Sequence, residues 1–331
     1  MHLSKEADLA ERKRDVDDWN WFAELFGSIR SNVERVVQGK SREIRLALAT
    51  LVAEGHLLIE DVPGVGKTML AKAMARSFDC AFRRIQFTPD LLPTDITGVN
   101  VYNQERGDFE FKPGAVFANI VLGDEINRAS PKTQSALLES MEEQQVTVDG
   151  VTYELGTPFM VIATQNPIEH EGTYPLPEAQ LDRFMIRLSI GYPDPEAEDQ
   201  ILATHGRHST LEDIGPVTDA SGAARMIAIA REAFVADALR RYIVDLVDST
   251  RRHPDVYLGG SPRASLMLLR ATRALAASEG RDYAIPDDVK ALTIPVLAHR
   301  LIVSADAAMS GRDASTVLTQ TLDEVPVPVE R

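Results

Sequence analysis

The chain is poor in several things, and each shortage excludes something. One of its 331 residues is a cysteine, Cys80. An intrachain disulfide is therefore impossible, stability has to come from packing, and a reducing cytoplasmic setting is expected. No run of about 18 apolar residues occurs, so no membrane-spanning helix is expected. The opening stretch MHLSKEADLAERKRDVDDWNWF has no apolar core followed by a small-residue cleavage site, and no secretory signal is expected. Basic runs are short as well. Nothing exceeds ERKR near the start, against 50 acids, 35 bases and a net charge of −15. Tracking along nucleic acid relies on clustered Lys and Arg, so that role is disfavoured. What remains is ordinary for a soluble globular protein: 44% hydrophobic and 26% charged, with length for one large domain or two smaller ones.

Residues 1–18 are densely charged and expected to be a flexible or weakly helical segment. Trp21, Phe22, Leu25, Phe26, Ile29, Val33, Val36 and Val37 then recur at helical spacing. A second helix, SREIRLALATLVAEG, is expected to stop at Gly55. From there short apolar runs at 56–60, 83–87, 119–125, 158–166 and 183–190 alternate with helical stretches such as KTMLAKAMARSF and PKTQSALLESMEEQ. That rhythm predicts an α/β fold, a parallel sheet flanked by helices, with ligands at the carboxyl ends of the strands. Two insertions break it. Residues 99–114 read as a hairpin turning near Gly107, and 145–155 alternate around Asp149-Gly150, a strong hairpin signal. After YPDPEAEDQ the pattern is helical, at about 196–205, 219–234, 236–252, 262–279 and 286–302. The expected organisation is an α/β nucleotide-binding domain over 19–192, a smaller all-α lid over 193–305 and a tail over 306–331.

The segment IEDVPGVGKTML follows an apolar strand and leads into a helix. It matches the phosphate-binding pattern G-x-x-x-x-G-K-[ST] at Gly66, Lys67 and Thr68, but the first glycine position holds Asp61, preceded by Glu60. Consecutive N–H groups running into a helix N-terminus make an anion nest. Pro63, Gly64, Val65, Gly66, Lys67, Thr68 and Met69 are its candidate residues. Lys67 would meet the β- and γ-phosphates, and the Thr68 hydroxyl a Mg²⁺ ion. Since the nest begins beyond Asp61, both acidic side chains are expected to point away from it.

Farther along, NIVLGDEINRAS ends a buried strand in two acids. Asp124 is a candidate to support Mg²⁺ and Glu125 to polarise an attacking water. Asn166 ends the strand FMVIATQN, where an amide could orient that water. Arg183 in LDRF stands before the fifth strand, free to pair with Asp182 or to act as an arginine finger on a neighbouring subunit. Arg263 follows the expected cap Ser261 and Pro262 in SPRAS. A cation in a first helical turn opposes the dipole at a cost of about 0.3–1 kcal/mol, so it calls for a phosphate or a carboxylate partner.

In this order the motifs EDVPGVGKT, DEINRASPKTQSALLESMEE, VIATQNPIEHEGTYPLPEAQLDRF and SPRAS resemble the AAA+ ATPases, and within them the MoxR family, over roughly residues 20–305. The resemblance implies a P-loop NTPase core with two hairpin insertions and an all-α lid, binding ATP or ADP with Mg²⁺. It makes Lys67 and Thr68 the Walker A residues, Asp124 and Glu125 Walker B, Asn166 sensor 1, Arg183 the trans-acting finger and Arg263 sensor 2. The segment RVVQGK is similar to the adenine-side motif, with Gln38 and Gly39 in inverted order, and places adenine against Val36 and Val37. The resemblance further implies a hexameric ring, hairpins that engage partners, and chaperone-like maturation or activation of protein complexes, often with a von Willebrand factor A-domain protein. A nucleic-acid motor or loader and a non-hydrolysing nucleotide switch are the competing functions. Acidity argues against the first, and the presence of Glu125 and Arg183 against the second.

Overall fold

The computed structural model describes residues 2–167, 172–205 and 210–328, with backbone only at 2–16, 204 and 205. Helix α1, His2–Glu34, takes in the segment expected as a flexible amino terminus. Phe22, Phe26, Ile29 and Val33 form its buried stripe, three or four residues apart. Helix α2, Ser41–Val52, ends one residue earlier than its glycine suggests: Glu54 takes the left-handed conformation (φ 56°), whereas Gly55 lies against Met185, where a Cβ would collide.

Strand β1, Leu57–Glu60, leads through the glycine loop into α3, Lys67–Ser77. Strand β2, Phe82–Gln86, and the short α4, Pro93–Thr97, come next. The first insertion is the hairpin β3, Gly98–Asn103, with β4, Asp108–Pro113. Strand β5, Ile120–Asp124, precedes α5, Pro131–Glu143. The second hairpin pairs β6, Gln145–Val148, with β7, Val151–Glu154, across Asp149 and Gly150, both at positive φ. Strand β8, Met160–Gln165, the one-turn α6, Glu178–Leu181, and β9, Ile186–Leu188, complete the α/β part.

The five expected strands form one parallel sheet in the order β2-β5-β8-β1-β9. Side chains alternate between its faces. Leu57, Ile59, Ile120, Leu122, Met160 and Ile162 join one apolar cluster, while Leu58, Val121, Val161 and Ala163 join the other. β2, at the sheet margin, carries the exposed Arg83 and Arg84, as edge strands commonly do.

Helices α7, Pro195–His205, α8, Ala220–Glu232, α9, Asp237–Arg252, α10, Pro262–Ser278, and α11, Pro286–Leu297, follow the expected spacing. A two-strand pair that the sequence did not announce, β10 (Val256–Leu258) with β11 (Ile302–Val303), clips the ends of α9 and α11 together. The helical region shares its apolar cluster with α1, α2 and one sheet face: Met226, Tyr242, Leu246, Leu268 and Leu292 sit in that cluster beside Ile59 and Phe22. The expected tail from residue 306 is corrected as far as residue 324. After α12, Ala305–Met309, helix α13, Ala314–Glu324, buries Val317, Leu318 and Thr321, an i, i+1, i+4 stripe capped by the Asp313 side chain.

The Cys80 thiol is half-buried, and burial, helped by the charges of Asp79 and Asp219, pushes its pKa up to about 11. It is a packing residue rather than a reactive thiolate. Among the described residues no helix is long and apolar enough to cross a membrane.

Candidate functional site

At the carboxyl edge of the sheet an open cavity of about 400 Å³ is lined by Pro63, Gly64, Gly66, Lys67, Thr68, Met69, Arg84, Asp124, Glu125 and Asn166. Three separated motifs thus meet because β1, β5 and β8 are adjacent and parallel. Gly64 and Gly66 have φ of +89° and +95°, and a Cβ on either would touch nothing within 4 Å. Glycine is required there for conformation, with space left open above the loop. Gly66 stands at the N-cap of α3, so the loop runs straight into a helix N-terminus, the end whose N–H groups favour an anion.

The two acids at the start of the loop have other occupations. The Asp61 carboxylate accepts hydrogen bonds from the Gly191 N–H (2.6 Å), the Ser189 hydroxyl (2.9 Å) and the Val62 N–H (2.8 Å). Burial opposes its ionisation, yet these donors together hold the pKa below the usual carboxylate value. Glu60 pairs with Arg187 of β9 at 3.0 Å. Asp61 therefore staples the loop to the chain leaving β9, and its backbone carbonyl accepts from Lys67 Nζ at 2.8 Å. Both carboxylates turn away from the nest.

Asp124 and Glu125 are tied by groups the sequence reading did not single out. The Thr164 hydroxyl of β8 donates to Asp124 Oδ1 (2.6 Å) and accepts the Glu125 N–H (2.9 Å). Arg84 of β2 meets Asp124 Oδ2 at 2.5 Å. Gln86 Nε2 donates to Glu125 Oε2 at 2.8 Å, and Arg128 approaches the same oxygen at 3.1 Å. Glu125 adopts φ 57°, a left-handed conformation that costs a non-glycine residue roughly 1–2 kcal/mol, with its N–H held by Thr164. One signal was present: Arg84 and Gln86 stand two apart on a strand and so share a face. That the register sets Gln86 beside Asp124 depends on the sheet order.

The Thr68 hydroxyl and the Asp124 carboxylate are hard oxygen donors lining one cavity. Among the described residues no group of three or more His, Cys, Asp or Glu gathers as a metal cage. A sparse oxygen set of this kind fits Mg²⁺, which takes one or two carboxylates and completes its shell with phosphate oxygens and water.

Five of the sequence-named residues do not line this cavity, among them Val65 of the loop itself, whose side chain packs against the main core. Val36 and Val37 are buried in the main core and do not line this cavity. Arg183 and Arg263 also stand apart from it, and they stand together. One carboxylate, Glu142 at the end of α5, receives both: Arg183 on Oε2 at 3.1 Å and Arg263 on Oε1. The pairing entertained between Arg183 and Asp182 is not the one formed, because Asp182 is taken by Arg300 at 2.8 Å. The arginine cluster is on the amino edge of the sheet. His56, immediately before β1, contacts the Met141 carbonyl of α5 (3.0 Å), and its own carbonyl accepts the Met185 N–H (2.8 Å). Strands of four to six residues, at about 3.3 Å each, separate this edge from the glycine loop. Part of the stretch after Asn166, residues 168–171, falls outside the described residues.

Comparison with known proteins agrees with this geometry. The ATPase family associated with various cellular activities (AAA) matches residues 56–186, and the AAA lid domain residues 248–321. The uncharacterized protein YeaC of Bacillus subtilis is 48% identical, covering 93% of this chain and 96% of its own. The chaperone MoxR1 of Mycobacterium tuberculosis is 44% identical across 89% of this chain and 80% of its own. A crystal structure of an inferred ATPase from Cytophaga hutchinsonii superposes with a TM-score of 0.90 at 36% identity, covering 96% of this chain and 99% of that one. With a glycine loop, paired acids and a polar strand end in one cavity, this fold and relatives of this identity identify the chain as a member of the MoxR family of AAA+ ATPases.

Proposed function

We propose that the protein hydrolyses ATP to ADP with Mg²⁺ at the interfaces of a ring of identical subunits, and uses the cycle to remodel protein partners in a chaperone-like way. The observation that carries this reading is the division of the site between two edges of one sheet. Lys67, Thr68, Asp124, Glu125 and Asn166 share a cavity, whereas Arg183 and Arg263 are partly exposed around Glu142 at the opposite edge of the same subunit. A neighbouring chain that sets its cavity against that edge completes the site.

In the proposed cycle the loop N–H groups and Lys67 hold the phosphates. Thr68 and Asp124 would hold Mg²⁺, which when bound neutralises charge on the β- and γ-phosphate oxygens. Glu125, positioned by Gln86 and Arg128, accepts a proton from the attacking water, and Asn166 orients that water. Arg183 from the neighbour stabilises charge on the transferred phosphoryl group, and Arg263 is the second cation on that face.

The hairpins support a protein as the partner. Tyr102 and Phe109 are exposed and packed edge to face at 5.3 Å, with Val99 and Val101 exposed nearby. Phe111 stacks on Tyr153 at 4.0 Å, and Asn100 donates to Asp149, so the two hairpins form one unit. An apolar tip of this kind suits unfolded or partly folded chain rather than phosphate backbone. The family resemblance supports six subunits, a cytoplasmic setting and a von Willebrand factor A-domain partner.

Mixing tests the division directly. Lys67→Ala lacks the phosphate lysine but keeps its arginines, and Arg183→Ala is the reverse. Each alone should be inactive, and a mixture should regain part of the wild-type turnover. No recovery, with both variants still assembling, would sink the shared-site reading.

A further inference from the structure

Arg300 lies in the turn that ends α11, and its side chain is 1% exposed. Its Nε donates to Asp182 Oδ1 at 2.8 Å, and Nη2 donates to the Asp182 carbonyl (3.2 Å) and the Phe184 carbonyl (2.5 Å). Nη1 reaches the Met185 carbonyl at 3.3 Å and also the Val296 carbonyl of its own helix. The preceding residue, His299, contacts the Phe184 carbonyl at 2.9 Å. One buried guanidinium thus grips three of the four residues from Asp182 to Met185, and the residue left ungripped between them is Arg183. The other Asp182 oxygen, Oδ2, accepts the Ser261 hydroxyl at 3.1 Å. Ser261 caps α10, the helix whose first turn carries Arg263.

A buried ion pair is a poor device for stability, because desolvating two charges offsets most of their attraction. Burial lowers the Arg300 pKa to about 10 even with Asp182 acting the other way, so the charge persists at neutral pH. What such a pair does well is fix a geometry, since a rigid fork with several acceptors admits one arrangement. Here the fixed geometry is the relative placement of two arginines borne by different parts of the chain. Glu142 links their tips, while Arg300 and Asp182 link their backbones.

We propose that Arg300, through Asp182, is a positioning residue that presents Arg183 and Arg263 as one rigid cationic unit to the nucleotide phosphates of the neighbouring subunit. It rests on the shared-site reading above. Arg300 touches no nucleotide in this scheme; it acts through the segment it holds. Misplacing such groups by about 1 Å is enough to lower turnover by about 10²-fold.

Steady-state ATP hydrolysis and equilibrium ADP binding of Arg300→Met and the near-isosteric Asp182→Asn test this, each alone and mixed with Lys67→Ala. The expected result has three parts: kcat falls by about 10²-fold, ADP affinity is unchanged because each chain's own loop is intact, and mixing with Lys67→Ala restores part of the rate. A purely structural role would not be rescued by a chain with a dead phosphate loop. Wild-type turnover in Asp182→Asn, joint loss of turnover and ADP binding, or no rescue while Arg183→Ala is rescued, would each overturn the proposal. Should Arg300→Met fail to fold, Asp182→Asn decides by the same criteria. If Arg183→Ala is itself not rescued, the shared-site reading falls, and this proposal with it.

Discussion

The two edges of the central sheet are organised by opposite rules. At the carboxyl edge the functional groups stand on loops and strand ends around open space, and several have temporary-looking partners such as Arg84 on Asp124 and Gln86 on Glu125. Glycines at positive φ keep that space clear. At the amino edge the groups are clamped. Buried His56, His299 and Arg300 tie carbonyls of the α5 end and of the segment entering β9, and Glu142 closes the cluster on the outside. On the shared-site reading proposed above, the carboxyl edge admits and releases a nucleotide and needs open space, whereas the amino edge offers charge to another subunit and needs fixed direction. The difference shows in the contacts: the glycine loop borders open space, whereas the carbonyls before β9 are each tied down.

Breaking the amino edge should give the largest effect on turnover. Arg183→Ala is expected to slow hydrolysis by about 10³-fold or more, the range for arginine fingers, while ADP binding persists. Retention of near wild-type kcat in steady-state assays would show that this edge does not serve a partner. At the carboxyl edge, Glu125→Gln should cost about 10²–10⁴-fold in kcat and keep nucleotide affinity, as loss of a general base does. Joint loss of binding would mean that Glu125 holds the loop rather than the water.

Acid separates the edges in stability. Burial lowers the His56 pKa from 6.5 to about 4, with the Met141 carbonyl contact acting weakly the other way. The unfolded chain takes up this proton below pH 6.5 and the folded chain only near 4, so stability is whole above 6.5 and is lost as pH falls through that window. His56 alone contributes about 3 kcal/mol to that loss, and His299, shifted the same way, adds to it. Asp61 acts in the same direction at lower pH: its lowered carboxylate pKa stabilises above 3.8, and that contribution is lost as pH falls below it. Urea unfolding between pH 7 and 4 should show a shallower decline for His56→Gln than for wild type; parallel curves would remove His56 as the cause. The smallest effect is expected at Glu142→Gln. Its two ion pairs are about one-third exposed, worth no more than about 1 kcal/mol, so the thermal midpoint should move little. A collapse of stability would place Glu142 with the buried clamp rather than on its surface.

Much of this was legible in the linear pattern. Strand runs were visible because buried parallel strands are continuously apolar; Asp124, Glu125 and Asn166 were visible because each ends such a run, and Lys67 and Thr68 because a glycine pattern links one to a helix. Val36 and Val37 illustrate the limit. Valines at helical spacing beside a familiar motif read equally as an adenine wall or as core, and they pack as core. Arg300 left one trace, a charge inside the apolar stretch VLAHRLIV, but nothing there names its partner 118 residues earlier in the chain. The extra helix α13 was missed because a short amphipathic stripe between Gly311 and the proline-rich end resembles a polar tail.

By itself the sequence determined which elements form and what chemistry each strand end can offer, because periodicity, glycine spacing and residue type are local properties. Only the tertiary structure decided which groups are neighbours. Strand order brings Gln86 and Thr164 to the paired acids, and α5 returns the chain across the sheet so that Glu142 gathers two arginines at the edge opposite the glycine loop. Those are contacts between residues far apart in the chain, set by the packing of whole elements, and no local pattern encodes them.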